Sequence, residues 1–160
     1  MPKNDPPLTP ALRVLKTAGV AFTPRPYRYE DHGGTEAAAR ELGVDEHRVV
    51  KTLVMRDETG AALLVLMHGD RKVSTKALAR AIGVKAITAC PPETAQKHTG
   101  YQVGGISPFG TRQTMPVFVE QSILELPSLF INAGKRGWLV EIAPEVLTRL
   151  LKARPVKAAI

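Results

Sequence analysis

The run Val49-Val50-Lys51-Thr52-Leu53-Val54-Met55 is apolar except at its third and fourth positions, where a lysine and a threonine stand together. Its length and β-branched content read as a strand buried on both faces. Lysine is among the residues least often buried. An unpaired ammonium taken out of water is costly unless an anion, a carboxylate or a wet cavity lies beside it. Lys51 therefore either lies on an edge strand and reaches back to solvent, or faces a site that uses positive charge. Two further segments carry more than structure requires. Gly100-Tyr101-Gln102-Val103-Gly104-Gly105-Ile106-Ser107-Pro108-Phe109-Gly110 lets backbone approach a ligand closely, and exposed N–H groups there could hold an anion or a carbonyl oxygen. It lacks the lysine and spacing of a P-loop and the G-x-G-x-x-G fingerprint. Ile131-Asn132-Ala133-Gly134-Lys135-Arg136-Gly137 reads either as a basic hairpin turn or as a small-residue pocket wall, with Lys135 and Arg136 placed to meet phosphates.

Other chemistries find little support. Ser107 has no nucleophile-elbow context, and Cys90 precedes two prolines with no base partner in view. No carboxylate pair has acid–base spacing. His32, His47, His68 and His98 lack metal-ligand spacing and read as surface or turn histidines, so neither metal nor cofactor is expected. Cys90 is the single cysteine, which excludes an internal disulfide. Lys and Arg exceed Asp and Glu by 22 to 15, a net charge of +7 that favours a polyanionic partner, nucleic acid first. No signal-peptide core and no stretch of ~20 apolar residues is present, so a soluble cytoplasmic protein without membrane association is expected.

These residues need a scaffold. Thr9 caps a helix with Pro10 at its first position, ended by Gly19. A strand over residues 21–29 is pushed to an edge by Pro24 and Pro26. Thr35 reads as the cap of an alanine-rich helix ending at Gly43. A hairpin joins 49–55 to 62–67, and Ser74 caps the next helix. Further strands fall near 86–88, 116–120, 128–132 and 138–142, with helices after Pro91 and Pro144 and a turn over 133–137. The pattern predicts one α+β domain: a mixed, mostly antiparallel sheet curled towards a barrel with surrounding helices.

Taken in order, Thr9-Pro10-Ala11, Lys51-Thr52-Leu53-Val54, Gly100 to Pro108, Ala133-Gly134-Lys135-Arg136-Gly137 and Val140-Glu141-Ile142-Ala143-Pro144 resemble the YbaK family. Its members are free-standing relatives of the editing domain inserted in bacterial prolyl-tRNA synthetase, and the likeness is greatest to the Cys-tRNA(Pro) deacylases. It covers residues 9–152, leaving 1–8 as a disordered N-terminal tail and 153–160 as a C-terminal tail. The resemblance implies a trans-editing hydrolase that cleaves the ester of mischarged Cys-tRNA(Pro). The substrate's own thiol would attack the carbonyl to form a thiolactone, a lyase-like route that needs no protein nucleophile, metal or cofactor. It matches Lys51 to the family's catalytic lysine. Tyr27, Thr52, Gly104, Gly105, Ile106, Ser107, Pro108, Asn132 and Gly134 match the substrate pocket. The implied partners are mischarged tRNA, chiefly tRNA(Pro), and prolyl-tRNA synthetase. Two departures bear on specificity: the loop at His32-Gly33-Gly34 is short and lacks a phenylalanine, and Asn132 stands where many relatives have serine. A deacylase for another small residue such as alanine on tRNA(Pro), and a non-catalytic tRNA- or synthetase-binding module, are the alternatives.

Overall fold

A computed structural model describes residues 5–160. Residues 1–4 of the expected N-terminal tail lie outside the described residues, and Asp5–Leu8 form no helix or strand. Helix α1 (Pro10–Ala18) starts where expected: Thr9 Oγ1 accepts the Leu12 N–H, and Gly19 closes the helix at φ 70°. Thr9 also donates to the Ala133 carbonyl at 2.6 Å, tying the helix start to the sheet. Strand β1 (Thr23–Pro26) is shorter than expected. Helix α2 (Gly34–Leu42) is followed by a single 3₁₀ turn (Glu46–Arg48) and by the hairpin of β2 (Val49–Asp57) and β3 (Ala62–His68). Then come α3 (Thr75–Ile82), β4 (Ile87–Ala89), α4 (Pro92–Thr99), β5 (Val117–Glu120), β6 (Leu129–Lys135), β7 (Trp138–Ile142), α5 (Glu145–Leu151) and β8 (Arg154–Val156).

The eight strands form one sheet in the order β1-β7-β6-β2-β3-β5-β8, with β4 joined to β2. Antiparallel pairs (β1–β7, β2–β3, β2–β4, β6–β7) outnumber the parallel ones (β2–β6, β3–β5, β5–β8), so the mixed α+β sheet is as expected. The strand path is open rather than closed into a barrel. Its end strands carry Pro24, Pro26 and Pro155, which have no N–H to offer a further neighbour. Strand β3 is central and buried on both faces. Leu64 and Leu66 enter the larger core with Leu15, Phe109, Ile131 and Leu147, while Val65 and Met67 enter a second core with Leu78 and Phe118. This explains its unbroken apolar sequence.

Three sequence readings are corrected. Residues 153–160 are not a tail: β8 runs parallel to β5, Val73 and Ala159 form a bridge, and Glu120 accepts the N–H groups of Ala158 and Ala159. The short segment Arg154-Pro155-Val156 gains its strand character from this pairing and from burial of Val156 and Ala158. Thr35 does not cap α2. The N-cap is Gly33, without a side-chain bond, because the Thr35 hydroxyl is drawn to Glu46 at 2.7 Å. The expected turn over 133–137 is tighter: β6 continues to Lys135 with an irregularity between Asn132 and Lys135.

Candidate functional site

The site arises from a split in the sheet. β2 is paired along its whole length with β3 on one side. On the other side β6 pairs with it only at Val49 and Val50, and β4 only from Met55 to Asp57. Residues 51–54 thus have no strand partner on that side between the two. The gap is the floor of a cavity of about 650 Å³, walled by α2, the start of α4, the Val103–Ile106 loop and the β6–β7 hairpin. Such a cavity has the size of a small-molecule site. Its lining combines apolar side chains (Val54, Met55, Ala89, Cys90, Ala95 and Ile106) with polar ones (Lys51, Thr52, Asn132, Arg136, Tyr27 and Glu30). The place of β2 between β6 and β3 in the sheet rules out the edge-strand reading of Lys51, which is half-buried.

Lys51 Nζ donates to the Gly69 carbonyl at 3.4 Å. Its ammonium titrates below the ordinary lysine value, chiefly because burial penalises the charge; Glu46 and Asp70 oppose that shift and Lys72 adds to it. Beside it, Thr52 Oγ1 and Asn132 Oδ1 are buried atoms without a hydrogen-bond partner. Such atoms on the wall of a cavity are the places where a ligand or water contact would satisfy an unpaired polar group. Whichever way the Asn132 amide is turned, one of its polar atoms occupies that position.

The glycine loop is held against the hairpin by contacts that sequence reasoning did not find. Arg136 Nε donates to the Val103 carbonyl at 2.8 Å, and its guanidinium lies 5.2 Å from the centre of the Tyr29 ring. Arg136 thus lines the cavity while staying exposed, as Lys135 does. Gly104, at φ +95°, has no room for a side chain: a Cβ would stand 2.6 Å from Tyr29 Oη. Gly105 serves packing, since a Cβ there would meet the Arg136 backbone nitrogen at 2.9 Å. Its own N–H donates to the Gln102 carbonyl at 2.9 Å, so it is not a free anion donor.

Of the expected pocket residues, Tyr27, Lys51, Thr52, Gly104, Ile106 and Asn132 line the cavity together. Gly105, Ser107, Pro108 and Gly134 are not among its lining residues. Ser107 is fully buried and accepts the Phe109 N–H at 3.0 Å. Gly134, at φ +93°, lets Tyr101 pack close, with 2.8 Å from its would-be Cβ to the ring. These four shape the wall from behind. Tyr29, Thr35 and Gly69 are the residues that sequence reasoning missed.

The histidines also need correction. His68 is 1% exposed, not a surface residue, and its ring stacks on His47 at 3.7 Å. His68 Nδ1 lies 2.7 Å from the His47 carbonyl, which can only accept, so Nδ1 carries the proton and Nε2 accepts from Ser122 at 2.7 Å. His47 Nδ1 donates to Asp70 at 2.9 Å. His47, His68 and Asp70 place potential metal-ligating atoms within 4.8 Å of one another. Both nitrogens of His68 are already bonded and the rings are parallel, so the group forms a hydrogen-bonded stack rather than a converging ligand set. Cys90 lines the cavity, and burial pushes its thiol up. No helix among the described residues is long and apolar enough to cross a membrane.

Comparison with known proteins gives the family and the fold. The chain belongs to the aminoacyl-tRNA editing domain family, whose profile matches residues 30–150. It is 29% identical over 143 residues to the "Putative Cys-tRNA(Pro)/Cys-tRNA(Cys) deacylase EbsC" of Enterococcus faecalis, covering 89% of this chain and 87% of that protein. It is 36% identical over 73 residues to the proline–tRNA ligase of Syntrophotalea carbinolica, 46% of this chain and 13% of the ligase. In fold it matches the crystal structure of a "putative trans-editing enzyme for prolyl tRNA synthetase" with a TM-score of 0.81 at 24% identity, over 96% of this chain and 99% of that one.

Proposed function

We propose that this editing domain is a trans-editing deacylase that clears Cys-tRNA(Pro). The observation that carries the reading is the gap beside residues 51–54: it gathers Lys51, Thr52, Asn132 and Gly104 around one cavity in a chain of the editing family. An aminoacyl ester is already activated, so the site has to orient it and stabilise developing charge. Lys51 supplies that charge. Thr52 Oγ1 and Asn132 Oδ1 accept from the amino group of the aminoacyl moiety. Gly104 lets the chain approach it, and Lys135 meets tRNA phosphates outside the cavity.

The attack comes from the substrate. Cys90 is the one cysteine, and its raised thiol pKa disfavours the thiolate. In the proposed step the cysteinyl sulfur bonds to its own carbonyl carbon and the carbon–oxygen ester bond breaks. The thiol proton ends on the terminal ribose oxygen, releasing a thiolactone and uncharged tRNA. Holding sulfur and carbonyl in near-attack geometry is the enzyme's contribution.

Purified protein assayed against tRNA(Pro) charged with Cys, Ala or Ser tests this. The expected result is rapid loss of Cys and much slower loss of Ser, because a thiolate forms far more readily at neutral pH than an alkoxide. Equal clearance of Cys and Ser overturns thiol assistance. Preferential clearance of Ala moves the assignment to an alanyl deacylase, and no clearance of any overturns the enzyme reading. For Lys51, a loss confined to KM marks a phosphate or ribose anchor, and a loss in kcat marks charge stabilisation in the transition state.

A further inference from the structure

Behind Lys51 lies a hydrogen-bonded group outside the motifs matched to the family. The Gly69 carbonyl, which accepts from Lys51 Nζ at 3.4 Å, is also 3.2 Å from Thr35 Oγ1, and Thr35 Oγ1 is 2.7 Å from Glu46 Oε2. The turn bearing that carbonyl is tied down on both sides. Gly69 N–H donates to the Val49 carbonyl at 2.7 Å. His68 next to it bonds the His47 carbonyl, and Asp70 on the other side bonds His47 Nδ1. Position 69 also excludes any side chain: a Cβ would stand 2.7 Å from Thr35 Oγ1 and 2.8 Å from the Val49 carbonyl. Three ties and an obligatory glycine are more than a strand-end turn needs; together they fix one carbonyl oxygen.

The proton count gives the group its logic. A threonine hydroxyl has one proton to donate. The shorter, charge-assisted bond to Glu46 takes it, which leaves the Gly69 carbonyl to the ammonium. Without the Glu46 carboxylate, the hydroxyl is free to donate to Gly69, whose carbonyl then divides its acceptor strength between the hydroxyl and the ammonium, and the ammonium loses the carboxylate that favours its charge. We propose that Thr35, Glu46 and Gly69 form a positioning group for Lys51, holding its ammonium in place from behind the cavity through the Gly69 carbonyl. Glu46 and Asp70 bear on that ammonium from the 3₁₀ turn and the end of β3, Lys72 opposes them, and Glu30, Asp31, His32 and Arg136 line the rest of the cavity. Removing the Glu46 charge therefore lowers the Lys51 pKa, and a reaction that needs the ammonium is lost at a lower pH as pH rises.

The test reads Lys51 itself. Its side chain is followed by NMR in lysine-labelled protein, assigned by loss of the signal in Lys51→Arg, through a pH titration of the free protein. Glu46→Gln is expected to titrate Lys51 at lower pH than the wild type; Thr35→Val, which keeps the Glu46 charge and loses only the hydroxyl that holds it, is expected to shift Lys51 less in the same direction, and Thr35→Ser to restore the wild-type curve. The kinetic arm rests on the deacylase reading. After subtraction of spontaneous hydrolysis, the alkaline limb of kcat/KM moves to lower pH in each variant by the interval its Lys51 titration shows. Their plateau drops on the order of ten- to a hundredfold, as for a small misplacement of a reacting group. Coincident Lys51 titration curves in folded wild type and Glu46→Gln overturn the proposal whatever the activity. Shifted titrations with unchanged deacylation kinetics overturn the positioning role. A wild type that deacylates nothing sinks the proposed function but leaves the NMR arm intact. If Thr35→Val fails to fold, the half-buried Glu46→Gln decides alone.

Discussion

Replacing Thr52 by valine should stabilise the protein while damaging its activity. Thr52 Oγ1 is buried and has no hydrogen-bond partner. An unsatisfied buried polar group costs about 1–3 kcal/mol, and valine keeps nearly the same shape without that atom. At this chain length each kcal/mol moves the melting temperature by about 2–4 °C, so Thr52→Val should melt on the order of 2–12 °C higher. With substrate bound, the same hydroxyl accepts from the aminoacyl group, and a hydrogen bond to a charged partner contributes about 1.5–3 kcal/mol. That converts to a loss of roughly ten- to a hundredfold in kcat/KM. Paired measurements decide it: thermal unfolding by circular dichroism, and single-turnover deacylation with enzyme in excess of substrate but below saturation. A lower melting temperature combined with unchanged turnover would show that the hydroxyl is already satisfied and idle towards substrate.

The two neighbouring glycines should separate by phenotype. Gly104→Ala should slow deacylation by displacing Tyr29, which lines the cavity, and lower the melting temperature through its φ of +95°, whereas Gly105→Ala should lower the melting temperature with little effect on the rate of the folded protein. Its Cβ would meet backbone rather than a movable side chain, an overpacking cost of about 1–3 kcal/mol; the reverse pattern would contradict the assigned roles. Burial holds the His68 pKa below its ordinary 6.5. The unfolded chain therefore binds a proton there before the native one does, and this contribution to stability, complete above 6.5, declines as pH falls from that value towards the lower native one. Urea titrations of wild type and His68→Gln across that interval should diverge, and parallel curves would count against it. Cys90→Ser should keep wild-type deacylation, because the substrate supplies the thiol; a loss of a hundredfold or more, on the scale of a missing nucleophile, would implicate Cys90.

What the sequence showed, and what it hid, follows from the range of the interactions. Lys51 stood out because an apolar run makes one charge conspicuous. Thr9 and Gly19 bracketed α1 because caps are local, and Pro24 and Pro26 marked an edge strand because each removes an N–H. The cavity itself had no such mark. It exists because β6 leaves β2 after Val50, a partner some 80 residues away in sequence. The same holds for His47 on His68, for Arg136 on Val103 and for the Thr35 hydroxyl beside Gly69: each meets its partner only once the chain has folded. Thr35 misled because Gly-Gly-Thr-Glu before an alanine run looks like a capping sequence, while Glu46 offers the hydroxyl a stronger partner. The C-terminal strand was hidden for a similar reason, since Arg154-Pro155-Val156 is extended only because β5 lies beside it.

The most direct test of the account is single-turnover deacylation of Cys-tRNA(Pro) by Lys51→Ala beside the wild type, with circular dichroism and thermal unfolding run on the same samples. Because Lys51 faces the cavity and its removal relieves a burial penalty, the variant should fold and melt at or above the wild-type temperature. Its rate should fall by about a hundredfold or more, the loss expected when a preorganised charge is removed from a transition state. Wild-type turnover in a folded Lys51→Ala protein would show that the chemistry does not use the cavity at the split of the sheet.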